Sequence, residues 1–201
     1  AFVALAAPEK PDVILLQEGV SGLVAGAYCS IGQIVKMFLA AGLPYESTVC
    51  RMTGYPGILT YRLGILTLRQ HKFLGVEEIH NEPTEWEGLF PWYRKIMGVR
   101  AGGVNFYTTH FGGGSVAGQM RQAGDALGFI KRTGSQLAVF GGDFNFTGGP
   151  AHQLIQSRVF CEAGGGRIDK VYVRGFPSAT CEVLFNDPAI SDHPCMMATL
   201  N

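Results

Sequence analysis

Two hydrophobic patterns run along the chain, and each predicts a different kind of element. A short continuous apolar run at 12–17, DVILLQ, favours a strand that is buried on both faces. Apolar residues at helical spacing occupy 22–41, which Gly42 and Pro44 end, and they recur in 117–132. Further strands are predicted at YESTVCR, GILTYR, GILTLRQ (an antiparallel meander), VNFYTTHF, LAVFGGD, IDKVYV and CMMATL. This order predicts an α/β sandwich, with packed sheets and helices outside.

The composition is that of a globular domain with a sizeable core, since 47% of the 201 residues are hydrophobic. Sixteen basic residues balance sixteen acidic ones, and no Lys/Arg-rich run is present. This argues against a broad nucleic-acid surface, although a local patch could still bind a few phosphates. No apolar run reaches the roughly 18 to 20 residues of a transmembrane helix. The five cysteines lack CxxC spacing, which argues against zinc and favours reduced thiols, with a Cys161–Cys181 disulfide as the alternative.

Polar residues of catalytic type follow the predicted strands. DVILLQ ends at Glu18, VNFYTT ends at His110, and LAVFGG ends at Asp143, with Asn145 two residues later. The remaining candidates are Asp169 inside RIDKVYV and Asp192 and His193 before CMMATL. Each alone is typical of a solvated strand end, a turn or a satisfied core histidine. Together, at rigid strand ends, they suit a hard divalent cation and an acid/base pair.

The segments LQE, TTHF, GGDFN, RIDKV and SDHP, in this order, resemble the signature of the endonuclease/exonuclease/phosphatase superfamily. The resemblance runs from about Pro11 to the C-terminus. It implies a four-layer α/β sandwich, in which helices flank two packed, mostly antiparallel sheets. It also implies a hydrolase that uses Mg²⁺, or alternatively Mn²⁺, and attacks a phosphodiester with an activated water.

The resemblance assigns four of the polar residues to the metal and the attacking water. Glu18 and Asp192 resemble metal ligands. Asp143 resembles the aspartate that orients or deprotonates the water, and Asn145 the asparagine that holds this aspartate and the phosphate. The glycines around Asp143 would let a substrate approach the backbone.

The other three residues are assigned to the phosphate and to proton transfer. His193 resembles the histidine that contacts the scissile phosphate and transfers a proton, and Asp169 the carboxylate that orients it. His110 resembles the histidine that stabilises the pentacovalent transition state. An imidazolium beside a phosphodiester would offset its negative charge.

The N-terminus departs from the family pattern, which opens with a strand ending in asparagine and then a helix. Only ten residues precede Pro11, and they resemble the tail of that helix. We therefore expect residues 1–201 to form a single domain of this type that lacks its first strand. A non-catalytic binding module on this fold is one alternative, although the retained polar residues argue against it.

For the substrate, a phospholipid head group and a nucleic acid are the competing predictions. GGDFNF and ISDHPCMMATL resemble neutral sphingomyelinases, and the neutral charge disfavours a nuclease. The irregular, aromatic stretch 80–98 includes the segment 86–97, which an interfacial membrane contact would suit if it were exposed. Its relevant residues are Trp86, Leu89, Phe90, Trp92, Tyr93 and Met97, with Arg94 and Lys95. An aromatic loop folded onto the core is the alternative for this segment.

Overall fold

A computed structural model describes residues 1–22, 28–55, 59–80, 86–87, 90–91, 93–158 and 160–201. The helices in these ranges are α1 (Phe2–Ala6), α2 (Ser30–Ala40), α3 (Val116–Thr133) and α4 (Pro150–Gln156), and a 3-10 turn spans Ala7–Glu9. The first strands are β1 (Val13–Gly22), β2 (Tyr28–Cys29), β3 (Glu46–Tyr55), β4 (Leu59–Thr67), β5 (His71–Glu78), β6 (Trp86–Glu87) and β7 (Phe90–Pro91). The others are β8 (Lys95–Ala101), β9 (Val104–His110), β10 (Ala138–Asp143), β11 (Cys161–Gly166), β12 (Asp169–Arg174), β13 (Ala179–Phe185) and β14 (Cys195–Leu200). The predicted mixed α/β class is confirmed.

Two larger sheets organise the described part of the chain. One has the strand order β2-β1-β4-β3, and the other has the order β11-β12-β10-β9-β8-β5. Only β9 and β10 pair in parallel among the described pairs, and α3 connects them as the crossover helix. Parallel neighbours need such a long connection, whereas the antiparallel pairs follow shorter ones. Two further pairs, β13-β14 and β6-β7, complete the described sheets.

Three hydrophobic clusters connect these elements. The cluster between the sheets contains buried residues of β3, β4 and β8, namely Met52, Leu63, Ile65, Met97 and Val99. A second joins α1 and α2 to the four-stranded sheet through residues such as Val3, Ile31, Phe38 and Leu66. The third joins α3 and α4 to the six-stranded sheet through residues such as Ile130, Ile155, Phe140 and Tyr172. Each sheet therefore packs on the other sheet and on a pair of helices.

The central position of β1 explains its continuous apolar sequence. Ile14 and Leu16 pack against the helix-side cluster, whereas Val13 and Leu15 pack against the cluster between the sheets. Successive side chains of a strand point to opposite faces, so both faces of β1 need apolar residues. Both faces of this strand therefore pack against apolar clusters, as predicted, although residues 13–17 are half-buried and not fully buried.

Two predicted boundaries are wrong, and packing explains the second. The helix expected over 22–41 begins only at Ser30, because Gly22 still belongs to β1 and β2 precedes the helix; residues 23–27 lie outside the described residues. The described residues of GILTYR and most of GILTLRQ share one strand, β4, with Gly64 in its interior, whereas residues 57 and 58 lie outside the described residues. A Cβ at Gly64 would lie 2.8 Å from Cδ1 of Ile31, so this glycine allows close packing and does not mark a turn.

The stretch 80–98 is also more regular than expected, because β8 begins at Lys95 and pairs with both β5 and β9. Met97 is fully buried in this strand.

Cys161 and Cys181 are free thiols, so the alternative of a disulfide between them is not realised. Within the described ranges, no helix is both long and apolar enough to cross a membrane.

Candidate active site

The strand register brings three of the predicted residues side by side, where neighbouring interior strands of the six-stranded sheet begin or end. Asp143 is the Cα partner of His110 on β9 and of Asp169 on β12. Directly opposite residues in paired strands have neighbouring side chains, so three distant segments of the sequence meet here. The strand-end positions inferred from the sequence therefore correspond to one place in the fold.

Asp143 lies at the centre of this group. Its Oδ1 accepts a hydrogen bond from the backbone N–H of Asn145 at 2.8 Å. Its Oδ2 lies 3.5 Å from Nε2 of His110 and 3.9 Å from Nε2 of His193. Burial raises the pKa of the Asp143 carboxyl, and the nearby charge of Asp169 adds to this, although the Asn145 N–H opposes it. Asp143 is thus an oriented carboxylate whose second oxygen faces two imidazole rings.

His193 is oriented by Asp169. Its Nδ1 lies 2.9 and 3.0 Å from the two carboxylate oxygens, and its backbone N–H donates to Oγ of Ser191 at 3.0 Å. This contact assigns a proton to Nδ1 and directs Nε2 toward Asp143. Burial disfavours the charged ring, but the hydrogen bond to Asp169 and the charges of Asp169, Asp143 and Asp192 raise the pKa of His193 overall. His193 is therefore the histidine of the site that favours the imidazolium form.

His110 has the opposite character. It is buried, with Nδ1 at 3.5 Å from Oε1 of Glu18 and Nε2 at 3.5 Å from Oδ2 of Asp143. Burial, followed by the positive charges of Arg94 and His193, lowers its pKa to about 3. His110 is therefore neutral near pH 7, and it can act there as a hydrogen-bonding group but not as a cation.

A break in the register of β1 directs Glu18 toward this group. The pairing of β1 with β4 shifts between Leu16 and Gly19, and Glu18 has a φ of 55°. Such bulges re-aim a side chain that would otherwise follow the strand alternation. The adjacent Gln17 donates from Nε2 to Oγ1 of Thr108 at 2.8 Å, which connects β1 to β9 beside the site. The half-exposed Glu18 carboxylate thus lies at the open side of the site.

Asn145 organises the loops around Asp143 more than it contacts the carboxylate. Its side-chain Nδ2 donates to the carbonyl of Phe111 at 2.7 Å, and the Phe111 N–H donates to the Asp143 carbonyl at 2.8 Å. Nε2 of Gln119 donates to the Asn145 carbonyl at 3.1 Å. With a φ of 51°, Asn145 adopts a left-handed conformation that asparagine tolerates better than most residues. It therefore joins the loops that follow β9 and β10.

Three side chains of the site can offer atoms to one cation, because ligand atoms of Asp143, Asp169 and His193 lie within 4.8 Å of one another. Asp169 and His193 are, however, already hydrogen-bonded to each other. Glu18, one of the predicted metal ligands, is brought to the site through His110, whereas Asp192 is exposed and influences it through its charge. Carboxylate oxygens are the donors that Mg²⁺ prefers, so this set fits a hard divalent cation.

Sequence reasoning missed two buried polar residues near the site. Arg94 belongs to the segment for which both an exposed membrane contact and a fold onto the core were expected, but it was given no role at the site; it is only 7% exposed, and its charge lowers the pKa of His110 and opposes the rise in the pKa of Asp143. Gln122 of α3 is also buried, and its Oε1 accepts the N–H of Gly112 at 2.9 Å. The apolar run that follows Arg94 and forms β8 is the signal that could have added Arg94 to the polar residues at strand ends.

Comparison with solved structures gives the same fold at low sequence identity. An endonuclease/exonuclease/phosphatase from Beutenbergia cavernae DSM 12333 has a TM-score of 0.76 and 17% identity, over 98% of this chain and 64% of that one. This chain thus spans about two thirds of that protein's length. Truncated TDP2 from Caenorhabditis elegans has a TM-score of 0.61 and 17% identity, over 99% of this chain and 88% of that one.

A mannosyl-6-phosphatase from Bacteroides thetaiotaomicron VPI-5482 has a TM-score of 0.64 and 16% identity, over 100% of this chain and 89% of that one. No curated protein matches the chain. A sequence model of the Endonuclease/Exonuclease/phosphatase family matches residues 1–193. That match covers nearly the whole chain and includes every predicted site residue, so the chain belongs to the endonuclease/exonuclease/phosphatase family.

Proposed function

We propose that this chain is a divalent-metal-dependent phosphoesterase that hydrolyses a phosphodiester by attack of an activated water. The observation that carries the proposal is the placement of Asp143 between two histidines of opposite protonation preference. Pairs of titratable groups whose environments separate their pKa values are typical of acid/base catalysis. The three hydrophobic clusters support the proposal that a four-layer α/β sandwich holds these groups.

Asp143 is the group we assign to the attacking water. The N–H of Asn145 fixes one carboxylate oxygen, so the other oxygen is presented at the site in a defined direction. A raised pKa makes the carboxylate a stronger base than an exposed aspartate, which favours removal of a proton from water. Loss of such a group typically slows a reaction by roughly 100- to 10,000-fold.

His193 is the group we assign to the phosphate and to the proton that the leaving oxygen requires. Asp169 holds Nδ1, and its carboxylate favours the protonated ring, so the Nε2–H is available to donate to a phosphate oxygen. Asp169 acts through His193 and is a positioning residue. A positive charge where negative charge develops in the transition state lowers the barrier.

His110 would contribute a neutral hydrogen bond to the same phosphate. The sequence-based expectation that an imidazolium offsets additional charge thus applies to His193 and not to His110. The buried Arg94 supplies a permanent positive charge beside these groups. A neutral ring and a fixed cation together can stabilise an anionic transition state without changing protonation between neutral and mildly acidic pH.

Glu18 and Asp192 are the residues we propose to hold Mg²⁺ or Mn²⁺. When bound, the cation would offset charge on the phosphate and increase the acidity of a bound water. The half-exposed Glu18 carboxylate is oriented by the bulge in β1, whereas Asp192 lies at the surface next to His193. We expect Glu18→Gln to weaken a calorimetric Mg²⁺ signal, and no binding at millimolar Mg²⁺ would favour a non-catalytic module.

For the substrate we retain the phospholipid head group as the first proposal and a DNA or RNA strand as the second. The membrane contact through 86–97 can now rest on only part of that segment, because Met97 and Arg94 are buried. Tyr93 is 43% exposed and remains available. Leu89 and Trp92 lie outside the described residues, as do the side chains of Trp86 and Phe90. Because the fold is similar to that of a mannosyl-6-phosphatase, we include a phosphomonoester among the substrates to be compared.

A Mg²⁺-dependent hydrolysis panel tests the proposal. Sphingomyelin vesicles, a phosphoinositide, plasmid DNA, single-stranded RNA, bis-p-nitrophenyl phosphate and p-nitrophenyl phosphate are assayed with wild type, His193→Ala and Asp143→Asn. His80→Ala is the matched control, because its ring contacts Arg121 and no residue of the site. We expect EDTA and both site variants to abolish cleavage and the control to retain it. Activity after exhaustive chelation, or wild-type turnover in either site variant, would contradict the proposed mechanism.

A further inference from the structure

A groove of about 690 Å³ lies between α3 and α4, on the helical side of the six-stranded sheet. Arg174, which ends β12, lines it, whereas Asp169 begins the same strand in the candidate active site. Five residues of a strand span about 17 Å, at about 3.3 Å per residue. No residue that lines this α3–α4 groove belongs to the candidate active site. The groove is therefore a second, separate concavity at the other end of the sheet.

The charged residues that line the α3–α4 groove are all basic, namely Lys131, Arg158 and Arg174. In the ranges that the structure describes, none of the three forms an ion pair with a carboxylate. The neighbouring Arg132 differs, because it is paired with Glu77 on another part of the surface. Three uncompensated positive charges around one concavity produce a local positive potential that attracts anions.

Arg174 is held in place before any ligand arrives. One of its terminal nitrogens donates to the carbonyl of Ser135 at 2.6 Å, and its guanidinium lies 4.8 Å from the centre of the Phe160 ring. Its buried Nε has no hydrogen-bond partner among the described residues. A guanidinium that is already ordered loses less conformational entropy when it binds an anion than a mobile side chain does.

Two glycines of α3, Gly124 and Gly128, also line the groove and lie one helical turn apart. Glycine in a helix is less favourable than alanine by about 0.5 to 1 kcal/mol. A Cβ at Gly124 would meet no atom within 4 Å, so packing does not require a glycine there. Leu127 and Leu154 add apolar walls. The groove thus combines three cationic side chains with apolar lining residues and space for an uncharged organic group.

We propose that the α3–α4 groove binds a small phosphorylated ligand, whose phosphate contacts Lys131, Arg158 and Arg174 and whose organic part lies over Gly124. A phosphate dianion offers three acceptor oxygens to three separate cations, whereas a carboxylate is saturated by a single guanidinium. The available volume greatly exceeds that of a phosphate ion alone and is lined by apolar side chains. This inference does not depend on the proposed hydrolysis.

Calorimetry with phenylphosphonate tests this site, because the proposed hydrolysis cannot cleave its carbon–phosphorus bond. Titrations are made in EDTA and at low salt. We expect Lys131→Gln to weaken binding by roughly tenfold, as for loss of one charge-assisted contact. Arg132→Gln is the matched control, since it removes the same charge from the adjacent, ion-paired position. Gly124→Leu should abolish binding by placing a side chain where the organic part of the ligand would lie, with an unchanged or higher melting temperature because leucine favours helix.

The outcomes are distinct. The proposal is supported if binding is lost in Gly124→Leu, weakened by roughly tenfold in Lys131→Gln and retained in Arg132→Gln, and if benzoate binds at least roughly tenfold more weakly than phenylphosphonate. Equal binding in all variants overturns it, as does equal weakening by the two charge substitutions, which would indicate a general surface effect. A single-stranded oligonucleotide that competes through the same residues with much higher affinity would replace the small ligand with a nucleic-acid strand. Hydrolytic activity is measured separately, so failure of either proposal is recognisable.

Discussion

The two histidines of the candidate site should affect acid stability in opposite directions. His110 is buried and has a pKa lowered from 6.5 to about 3. The pKa of His193 is raised, because the hydrogen bond to Asp169 and the nearby carboxylates outweigh the burial that opposes them. If these environments are correct, replacing each ring with glutamine changes the pH dependence of unfolding with opposite sign.

The expected magnitude follows from linkage between protonation and folding. For His110, whose folded-state pKa lies below the unfolded value, the stabilising effect is complete above pH 6.5 and is lost as pH falls toward about 3. Each pH unit within this window corresponds to about 1.4 kcal/mol, so about 2 kcal/mol should be lost between about pH 8 and about pH 5. His193 has the reverse sign: its contribution is complete below the unfolded pKa of 6.5 and is lost as pH rises through the raised folded value.

Urea unfolding in EDTA, at several pH values between about 8 and about 5, measures these contributions. The free energy of unfolding should decline less steeply toward acid in His110→Gln than in wild type, by about 2 kcal/mol over the range. In His193→Gln it should decline more steeply than in wild type. Carboxylates far from the two rings titrate alike in all three proteins and cancel in the differences, whereas His193→Gln also removes the ring that lowers the pKa of Asp169 and Asp143, so its difference reports on this coupled group.

If the free energy of unfolding of wild type and of His110→Gln changed with pH in parallel, the reasoning would be refuted. Such a result would mean that His110 is protonated as easily in the folded as in the unfolded state. A free energy of unfolding that declines less steeply toward acid in His193→Gln than in wild type would likewise show that Asp169 does not stabilise a positive charge on that ring. Absolute destabilisation by either substitution does not affect the test, which depends only on the slope with pH.

Three further predictions concern the supports of the site. Gly142→Ala should disrupt the pairing of β9 with β10 and abolish hydrolysis, because its Cβ would lie 2.1 Å from the Thr109 carbonyl oxygen at a φ of 152°. Gly148→Ala is the control and should be neutral, because a Cβ there meets no atom within 4 Å. Melting temperatures and turnover numbers check both variants. Asp169→Asn should lower kcat with little change in KM and shift the pH profile, and an unchanged profile would contradict its positioning role. Glu18→Asp should raise the Mg²⁺ concentration needed for half-maximal activity, and an unchanged metal dependence would exclude Glu18 as a ligand.

The strand-end residues could be predicted because three simple signals coincide. An apolar run of strand length, a glycine turn and a polar residue at the junction occur together at Asp143, and the register then places His110 and Asp169 beside it. The class of fold follows from the same alternation of strands and helical segments. These are local signals, and each remains visible in a single sequence because neighbouring residues produce it.

Other features depended on contacts between distant segments. Gly64 resembles a turn signal, but it is required by the close approach of Ile31 from α2. The approach of Glu18 to His110 depends on a register shift against β4, which no periodicity within β1 reveals. The sequence left open whether the aromatic segment that contains Arg94 is exposed or folded onto the core, and only the structure shows that Arg94 is buried.

Some of the departures from regular strand geometry lie where the chemistry is proposed. Glu18, Gly142 and Asn145 all have positive φ values, at a bulge, at the end of β10 and in the turn after it. For residues other than glycine, such conformations cost of order 1 kcal/mol and persist when surrounding contacts determine them. The contacts are present: Asn145 is bonded through both its backbone and its side chain, and Glu18 lies between paired segments of β1. A regular β1 would alternate its side chains between two faces, so the irregular position of Glu18 is what brings a carboxylate of the four-stranded sheet to His110, which Asp143 of the six-stranded sheet also faces.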